Sequence, residues 1–481
     1  MMHLSAQQLD RAVGAVLVSA AGDALGSQYE FGPSLPDSVT PEFGVGCFGH
    51  APGEWTDDTS MAMPILRQLA EGRTLEEPDA ISEIVSDWRA WARTAKDVGA
   101  QTRGVLNRLG EDTDESAARA ASETAHRRSG RSAGNGSLMR TGPVALGYLD
   151  RSPEELFSVA GRLAQLTHWE IDNVEACTLW CLAIRHAVLT GELDIHAQLA
   201  WLPADRRARW AELIDEATAA GVHPRDFRSG NGWVVRAFQA ALAAIVGASS
   251  LRDALERAVR GGGDTDTVAA IAGSLAGAVW GGSALPLLLK RRLHGWPDID
   301  ANDLTRLAYL AARHGATDGE GWPAAARATV YSRSDYLFRH PHDDGLWIGS
   351  LAALDRLPSR VDAVVSLCRI GRAQVPAGLE RVQVWLVDQD DRNANLDLVL
   401  AEAADAVAEL RREGRQVFLH CAEGRSRTSA VAALYGARHR AIPLEKSWDD
   451  IRRTLPGFAP QRFLRDAVAR VARRAVAESE I

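Results

Sequence analysis

Cysteine is scarce in this sequence, with five cysteines in 481 residues. Only Cys177 and Cys181 lie close together, and no second pair or histidine cluster accompanies them, so a structural zinc site is not indicated. On a helix, their spacing places both on one face as small core residues. Sparse, odd-numbered cysteine usage excludes a disulfide framework and is typical of a reducing cytosol, so we expect a cytoplasmic protein.

Positively charged residues are also fewer than negatively charged ones, with 54 lysines and arginines and 63 aspartates and glutamates. This balance excludes broad, phosphate-driven binding of nucleic acid as the main activity. The first nine residues lack the basic start and apolar run of a signal peptide. Residues 268–289 carry no charge and are long enough to cross a bilayer. Their glycine, alanine and serine content, together with Pro286, favours a buried helix, so no membrane partner is expected.

The first two-thirds of the chain show helical periodicity. Leu9, Val13 and Leu17 recur on one face, for example, and few stretches alternate with period two. Polar, glycine-rich segments interrupt the helical pattern at residues 22–32, 44–60, 130–143 and 261–267. The sequence therefore predicts an all-α domain over residues 1–315 whose functional residues lie on loops.

The last third of the chain has a different pattern. Residues 316–334 contain turn-forming glycines and a proline and are predicted to be a linker. Helical spacing then covers residues 398–410, and short apolar runs typical of strands occur at residues 346–348, 363–367, 382–387 and 416–420. Strands alternating with helices predict an α/β domain over residues 335–481 with a central, mostly parallel sheet.

Two distant motifs share an unusual composition. Residues 55–59 read Trp-Thr-Asp-Asp-Thr, and residues 261–267 read Gly-Gly-Gly-Asp-Thr-Asp-Thr. Clustered carboxylates repel each other unless cations neutralise them, and Mg²⁺ or Mn²⁺ takes oxygen ligands of this kind. Two such clusters could assemble a two-metal site. Helix N-capping is the alternative, since both motifs precede helical runs, and the two roles are compatible.

Five motifs occur in the order seen in the ADP-ribosylglycohydrolases, at residues 22–26, 55–59, 134–140, 167–168 and 262–267. The chain resembles that family, which includes the dinitrogenase-reductase-activating glycohydrolases, over roughly residues 8–315. The resemblance implies an all-α orthogonal helical bundle and two divalent metal ions, Mg²⁺ or Mn²⁺. The implied metal ligands are Thr56, Asp57, Asp58, Asp264, Asp266 and Thr267.

The same resemblance implies roles for further residues. Glu30 matches a glutamate that several members use as acid or base, although a plain surface carboxylate is the alternative, and Asp97 is a second candidate. Asp23 is expected beneath the site as a packing or hydrogen-bonding residue. The substrate would be an ADP-ribosylated protein or an ADP-ribose-containing small molecule. The sequence does not specify whether ADP-ribose is linked to arginine, serine or another group. The implied ADP-ribose contacts are Gly99, Gly134, Asn135, Gly136, Ser137 and His168.

Residues 417–428 read as strand, tight loop and helix, with a Cys-x5-Arg spacing from Cys421 to Arg427. This resembles the signature loop of protein tyrosine and dual-specificity phosphatases, and the likeness extends over roughly residues 335–478. A thiolate at Cys421 would attack phosphorus without a metal cofactor. Loop N–H groups and the guanidinium of Arg427 would bind the phosphoryl oxygens of a phosphorylated substrate. The implied phosphate-binding residues are Ala422, Glu423, Gly424, Arg425, Ser426 and Arg427.

Other residues of this second motif have implied supporting roles. Thr428 would hydrogen-bond the thiolate or assist breakdown of the phosphocysteine, and His420 would orient the loop. The spacing to the cysteine favours Asp390 as the acid that protonates the leaving group, while Asp388 and Asp391 stay open.

The sequence as a whole predicts a bifunctional hydrolase with separate glycohydrolase and phosphatase domains. One alternative is a catalytically silent ADP-ribose-binding module that regulates or targets an attached phosphatase. Another is a phosphatase that is controlled by its neighbour and shares no substrate with it.

Overall fold

The computed structural model of the protein describes residues 3–110, 112–328 and 334–479. It separates into a first unit, made of Met1–Leu285 and Arg292–Ala316, and a second unit, made of Pro286–Arg291 and Thr317–Ile481. Within the described ranges, none of the helices combines the length and the apolar character needed to traverse a bilayer.

Helices dominate the first unit, and several begin at residues that the sequence marks as caps. Ser5 forms a capping box with Gln8, and Ser152 forms one with Glu155. The α-helices and two short strands of this unit are α1 (Ala6–Gly26), α2 (Asp57–Ala70), α3 (Pro78–Trp91), α4 (Ala100–Leu106), α5 (Glu115–Ser129), α6 (Leu138–Thr141), α7 (Pro153–Gln165), α8 (Ile171–Thr190), α9 (Ala204–Thr218), α10 (Val234–Val246), α11 (Leu251–Arg260), α12 (Thr265–Trp280), β1 (His294–Gly295), β2 (Ile299–Asp300) and α14 (Ala301–Ala311). Helix α13 (Leu287–Arg292) belongs to the second unit except for its last residue. Short 3-10 segments lie at Ser27–Tyr29, Asn135–Ser137, Gly142–Tyr148, Ala197–Trp201, Pro224–Phe227 and Gly282–Ala284.

Helix α12 is the centre of the first unit, where it packs against α1, α8, α10 and α11. It accounts for much of the uncharged stretch noted in the sequence and is buried along most of its length. Its contact with α1 is made backbone to backbone. A Cβ added to Gly22 would lie 2.2 Å from the carbonyl oxygen of Ala269, and one added to Gly26 would lie 2.4 Å from the Cα of Asp266. These two glycines therefore bring the end of α1 against the start of α12.

The second unit contains a five-stranded sheet. Its elements are β3 (Leu337–His340), β4 (Asp343–Ser350), β5 (Ala363–Ser366), β6 (Glu380–Gln383), α15 (Leu396–Arg412), β7 (Val417–Cys421), α16 (Arg427–His439), α17 (Leu444–Thr454) and α18 (Arg462–Ser479). The strand order is β3, β4, β7, β5, β6. Strands β3 and β4 are antiparallel, and the other three pairings are parallel. A 3-10 segment follows β4 at Leu351–Arg356.

The strand predictions are confirmed at β4, β5 and β7, and the helix predicted over residues 398–410 is α15. The predicted strand at residues 382–387 is wrong beyond Gln383, where β6 ends, and β3 was not predicted. Of the proposed linker, residues 317–328 fall in the second unit, where the N–H of Arg372 donates to the carbonyl of Ala325 at 3.1 Å. Residues 329–333 lie outside the described residues.

Candidate active sites

The two acidic motifs of the first unit meet at the N-termini of α2 and α12. The hydroxyl oxygen of Thr56 lies 3.1 Å from Oδ2 of Asp58 and 3.5 Å from Oδ2 of Asp266. Asp58 and Asp266 are buried, as is most of Asp57. Side chains more than two hundred positions apart in sequence therefore form one carboxylate cluster.

Asp23 of α1 organises this cluster from beneath. Its two carboxylate oxygens accept hydrogen bonds from the N–H and the hydroxyl of Thr56, at 2.9 and 2.7 Å, and from those of Thr59, at 2.9 and 2.6 Å. Oxygens of Asp23, Asp58 and Asp266 lie within 4.8 Å of one another. Because four donors already occupy the Asp23 carboxylate, its geometry is that of a positioning residue, and Asp58 and Asp266 keep free lone pairs.

Side-chain capping does not explain either motif. Thr56 is the N-cap residue of α2 and Asp264 that of α12, and neither makes a side-chain capping hydrogen bond. Oδ1 of Asp58 is buried and has no hydrogen-bond partner among the described residues. Burial, followed by repulsion from Asp97 and Asp23, raises the pKa of Asp57 to about 8. Uncompensated buried carboxylates of this kind fit hard divalent cations.

A second acidic group adjoins the first, since oxygens of Glu30, Asp264 and Asp266 also lie within 4.8 Å of one another. The loop carrying Glu30 is fastened to the second motif, because the N–H of Phe31 donates to the carbonyl of Gly263 at 2.6 Å. Burial raises the pKa of Glu30 to about 9, with repulsion from Asp264 as the next cause. The two groups share Asp266, as expected of a site that binds two cations close together.

Two Gly-Asn-Gly turns hold Asp264. Nδ2 of Asn135 donates to Oδ2 of Asp264 at 2.8 Å, and the N–H of Asp264 donates to Oδ1 of Asn231 at 3.1 Å. The turns are also joined to each other, because the N–H of Asn135 donates to the carbonyl of Gly232 at 3.1 Å. Asn231 was missed in the sequence, although residues 230–232 repeat the Gly-Asn-Gly of residues 134–136.

A cavity of about 710 Å³ opens over the carboxylate cluster. This volume falls within the range that holds a small-molecule ligand. Phe31 and Phe48 stand at the cavity as an exposed, edge-to-face pair with ring centroids 6.2 Å apart. The predicted site residues that line it are Glu30, Asp57, Asp97, Gly99, Gly134, Asn135, Gly136, His168, Asp264, Asp266 and Thr267.

Ser137 is the exception among the predicted ADP-ribose contacts. It is fully buried and does not line the cavity. Its hydroxyl accepts a hydrogen bond of 2.7 Å from Nδ2 of Asn173, which also donates to the carbonyl of Gly134 at 2.7 Å. In the structure, Ser137 therefore supports the turn from below.

The second candidate site lies where β7 ends at Cys421 and α16 begins at Arg427. Gly424 closes the loop between them with φ +69°, and a Cβ there would lie 2.9 Å from the backbone of Gly349. Neighbouring backbone braces the loop on both sides. The N–H of Leu351 donates to the carbonyl of Ala422 at 3.0 Å, and that of Ala459 donates to Arg425 at 3.1 Å.

The guanidinium of Arg427 is fixed behind this loop. Its Nη1 donates to the carbonyls of Leu367 and Leu386 at 2.8 and 3.0 Å. Its Nε is buried, has no hydrogen-bond partner among the described residues and lies 3.6 Å from Oδ2 of Asp388. The side chain is thus oriented through Nη1, and its Nε faces the Asp388 carboxylate.

The three candidate acids differ in position. Oδ1 of Asp388 accepts a hydrogen bond of 2.7 Å from the hydroxyl of Ser426, so Asp388 contacts the loop. Asp390 and Asp391 are exposed, and Oδ1 of Asp390 accepts from the N–H of Asp391 at 3.0 Å. Of the three, the structure brings Asp388 to the loop between Cys421 and Arg427.

The other predicted loop residues have these contacts. His420 is buried, with Nε2 lying 2.8 Å from the hydroxyl of Ser366, and burial lowers the pKa of its ring to about 4. The hydroxyl of Thr428 donates to the carbonyl of Gly349 at 3.3 Å. Cys421 is itself buried, at 1% exposure. Burial raises the pKa of the nearby Cys368 thiol to about 12.

Comparison with known proteins identifies the class of the first unit. The model of the ADP-ribosylglycohydrolase family matches residues 4–320, and the chain belongs to this family. The ADP-ribosylarginine hydrolase Tri1 of Pseudomonas putida (strain GB-1) is 32% identical over 284 residues, which are 58% of this chain and 73% of that protein. The ADP-ribosyl-[dinitrogen reductase] glycohydrolase of Rhodospirillum rubrum is 29% identical over 292 residues, covering 58% of this chain and 88% of the relative.

Among solved structures, human DUSP28 covers 30% of this chain and 99% of its own, with a TM-score of 0.27 and 24% identity. A likeness of that extent supports no functional argument, so the second site is interpreted from its own residues.

Proposed function

We propose that the first unit hydrolyses the glycosidic bond between ADP-ribose and an amino-acid side chain, in a two-metal site. The observation that carries this proposal is the 3.5 Å approach of the Thr56 hydroxyl to the Asp266 carboxylate, which joins the two acidic motifs. The residues that would hold the cations are Thr56, Asp57, Asp58, Asp264, Asp266 and Thr267. Bound cations would orient the ribose hydroxyls and stabilise the charge that develops as the bond breaks.

Glu30 is the proposed acid or base of this reaction. It lines the cavity beside Asp264, and its carboxyl holds a proton more firmly than an ordinary glutamate because burial raises its pKa. It would give that proton to the leaving side chain, or take one from the attacking water at a carboxylate oxygen. Asp97 lines the same cavity and is the second candidate, and burial also raises its pKa.

ADP-ribosylated peptides test this proposal directly. Wild-type protein with Mg²⁺ or Mn²⁺ is expected to release free ADP-ribose from an ADP-ribosyl-arginine peptide faster than from an ADP-ribosyl-serine peptide. The expected preference follows from the Pseudomonas relative, whose name specifies the arginine linkage. Asp266→Asn should abolish release from both peptides. Binding of ADP-ribose without turnover, at any metal concentration, would instead support a silent binding module.

We further propose that the second unit hydrolyses phosphomonoesters through Cys421. The thiolate attacks phosphorus, the P–O bond to the leaving group breaks, and a carboxyl group protonates the departing oxygen. Water then attacks the phosphocysteine and gives a proton to the carboxylate left by the first step, while the S–P bond breaks to release inorganic phosphate and restore the thiolate. The loop closed by Gly424, with Arg427 at the first position of α16, is the observation that carries this proposal.

Hydrolysis of p-nitrophenyl phosphate tests the second proposal. Cys421→Ser should reduce the rate to background, because a serine hydroxyl is far less nucleophilic than a thiolate. Cys47→Ser is the matched control, since Cys47 is an exposed cysteine of the first unit, and it should keep the full rate. Equal rates for wild type and Cys421→Ser would contradict the proposed phosphatase activity of Cys421.

A further inference from the structure

Arg140 is a buried arginine beneath the ADP-ribose cavity. Its side chain, on α6, is 1% exposed. Nη1 donates to the carbonyl of Gly136 at 3.0 Å, and Nη2 donates to the hydroxyl oxygen of Thr167 at 2.6 Å. One guanidinium therefore contacts both the glycine turn and the residue that precedes His168.

The Thr167 hydroxyl has a defined hydrogen-bond direction. A guanidinium can only donate, so the Thr167 oxygen accepts from Arg140. The same oxygen lies 2.7 Å from Nδ1 of His168. Among the described residues, Nδ1 is the acceptor within reach of the Thr167 hydrogen, and a buried hydroxyl is rarely left without one. Thr167 therefore donates to Nδ1, which must be unprotonated.

An unprotonated Nδ1 fixes the ring proton of neutral His168 on Nε2. The ring is buried next to Arg140, and both burial and that positive charge disfavour an imidazolium. Nε2 faces the glycine turn, since a Cβ added to Gly134 or Gly136 would lie 3.2 or 3.3 Å from it. The Nε2–H group is consequently a donor at the cavity wall, where both glycines leave room for a ligand atom.

Arg140 also brings a positive charge, and among the described residues it makes no salt bridge of 4.0 Å or less with a carboxylate. The Trp88 ring lies 4.3 Å from Cζ and the sulfur of Met61 lies 3.8 Å from Nη1. Burial lowers the pKa of Arg140 to about 10, and the negative charge of Asp57 acts against that lowering. Such a charge acts over a longer range in a buried setting than in water. It favours an anion at the turn above it.

We propose that Arg140 and Thr167 are positioning residues that hold His168 in the neutral form protonated on Nε2, so that its Nε2–H group donates a hydrogen bond to the ligand in the cavity. That this ligand is ADP-ribose rests on the proposed function of the first unit. The hydrogen-bond relay itself depends only on contacts within the protein.

Substitution of Thr167 tests the relay. Thr167→Val keeps the side-chain shape and removes the hydroxyl, whereas Thr167→Ser keeps the hydroxyl and is the matched control. In ¹⁵N NMR of the full chain, wild type and Thr167→Ser should show His168 with a protonated Nε2 only. Thr167→Val should show a mixture of both ring tautomers. His168→Gln identifies the His168 signal among the 13 histidines.

Ligand binding tests the contact between His168 and the ligand. Thr167→Val should weaken calorimetric binding of ADP-ribose and raise KM roughly tenfold, with kcat changed less than about twofold, because a hydrogen bond is lost from the bound state. Thr167→Ser should restore wild-type values. An unchanged His168 tautomer in Thr167→Val would overturn the relay, and equal ADP-ribose affinity in the two variants would overturn the ligand contact. A hydrolytically inactive wild type in which Thr167→Val still changes both the tautomer and the calorimetric affinity would contradict the proposed function alone.

Discussion

At the scale of single residues, the carboxylate cluster lowers the stability of the metal-free folded protein, while it supplies the ligands of the proposed metal site. Asp57, Asp58 and Asp266 are buried beside the half-buried Glu30. Asp266 loses hydration and is repelled by Asp58 and Glu30. A chain that served only folding would not retain such a group. Its cost is offset when a cation binds the native state, since a ligand that binds only the folded form stabilises it.

Asp266→Asn should therefore change stability in opposite directions with and without metal. In metal-free protein, the loss of one buried negative charge should stabilise the first unit by about 1–2 kcal/mol and raise Tm by a few degrees. Added Mg²⁺ should raise Tm of the wild type and leave that of the variant unchanged. Asp215→Asn, at an exposed aspartate, is the control for calorimetry and should respond to Mg²⁺ like wild type. An Asp266→Asn protein that is stabilised by Mg²⁺ would contradict the metal assignment.

Asp388 and Asp390 should differ in the kinetic parameter that they control. Asp388 accepts from Ser426 and faces the Arg427 guanidinium, so we expect it to position the loop. Asp388→Asn should mainly raise KM. Asp390 makes no hydrogen bond to the loop among the described residues, so we expect it to act as the acid. Asp390→Asn should lower kcat for alkyl phosphates about a hundredfold and that for aryl phosphates less, because a poorer leaving group depends more on protonation. The reverse pattern in steady-state kinetics would make Asp388 the acid.

At the scale of secondary-structure elements, the close pairing of α1 with α12 makes particular glycines irreplaceable. Gly22→Ala would place its Cβ 2.2 Å from a backbone oxygen of α12 and should destabilise the first unit by at least about 2 kcal/mol. Gly104→Ala in α4 is the matched control. There, the nearest atom is the flexible end of Arg108 at 3.4 Å, so alanine should be neutral or stabilise by up to about 1 kcal/mol. Thermal unfolding would measure both, and equal Tm values would contradict the packing described for α1 and α12.

The second unit has a polar junction between β4, α15 and α16. Asp343 accepts from the hydroxyl of Tyr435 at 2.6 Å and from Nε of Arg411 at 3.1 Å. Burial alone would raise the pKa of Asp343, but the hydrogen bonds from Arg411, Tyr435 and Gly345 together lower it. The carboxylate is thus more acidic in the folded protein than in the unfolded chain. Its contribution to stability is full above the unfolded value of about 3.9 and is lost as the pH falls through the lower folded value.

Asp343→Asn should consequently cost about 2 kcal/mol at pH 7, and the difference from wild type should shrink below about pH 4. Urea unfolding followed by hydrogen exchange in peptides from β4 and α16 would measure it. Asp344→Asn is the control, because Asp344 is exposed, and it should change stability by less than about 0.5 kcal/mol. A difference between Asp343→Asn and wild type that stays constant from pH 7 to pH 3 would contradict the assignment.

At the scale of the whole chain, the two proposed activities should be separable. Cys421→Ser is expected to lose phosphatase activity and keep glycohydrolase activity, and Asp266→Asn is expected to do the opposite. Assays of both activities on both full-length variants would measure this, with wild type on the same substrates as the reference. A single substitution that abolishes both activities would contradict the division of functions.

The sequence predicted some aspects of this molecule better than others. The acidic motifs were predictable because their chemistry is local, and so were α15 and the strands at β4, β5 and β7, because their apolar patterns are strong. The residues that orient the motifs could not be predicted. The hydrogen bonds from Arg140 through Thr167 to His168, and the hydrogen bond between Asn231 and Asp264, depend on contacts between distant segments. The acid of the second site was ambiguous for a similar reason, because spacing favours Asp390 while packing brings Asp388 to the loop.

The position of two helix N-termini, those of α2 and α12, at the carboxylate cluster has a consequence for how the protein would bind metal. Both helices direct the positive end of their peptide dipoles toward the carboxylates, which lowers the net attraction that a cation feels there. A cation at this cluster would therefore bind less tightly than the number of carboxylates alone suggests, and would exchange more readily with free ions. The first unit would accordingly follow the supply of free divalent ions in the cell, turning over faster when they are abundant and pausing when they are withdrawn.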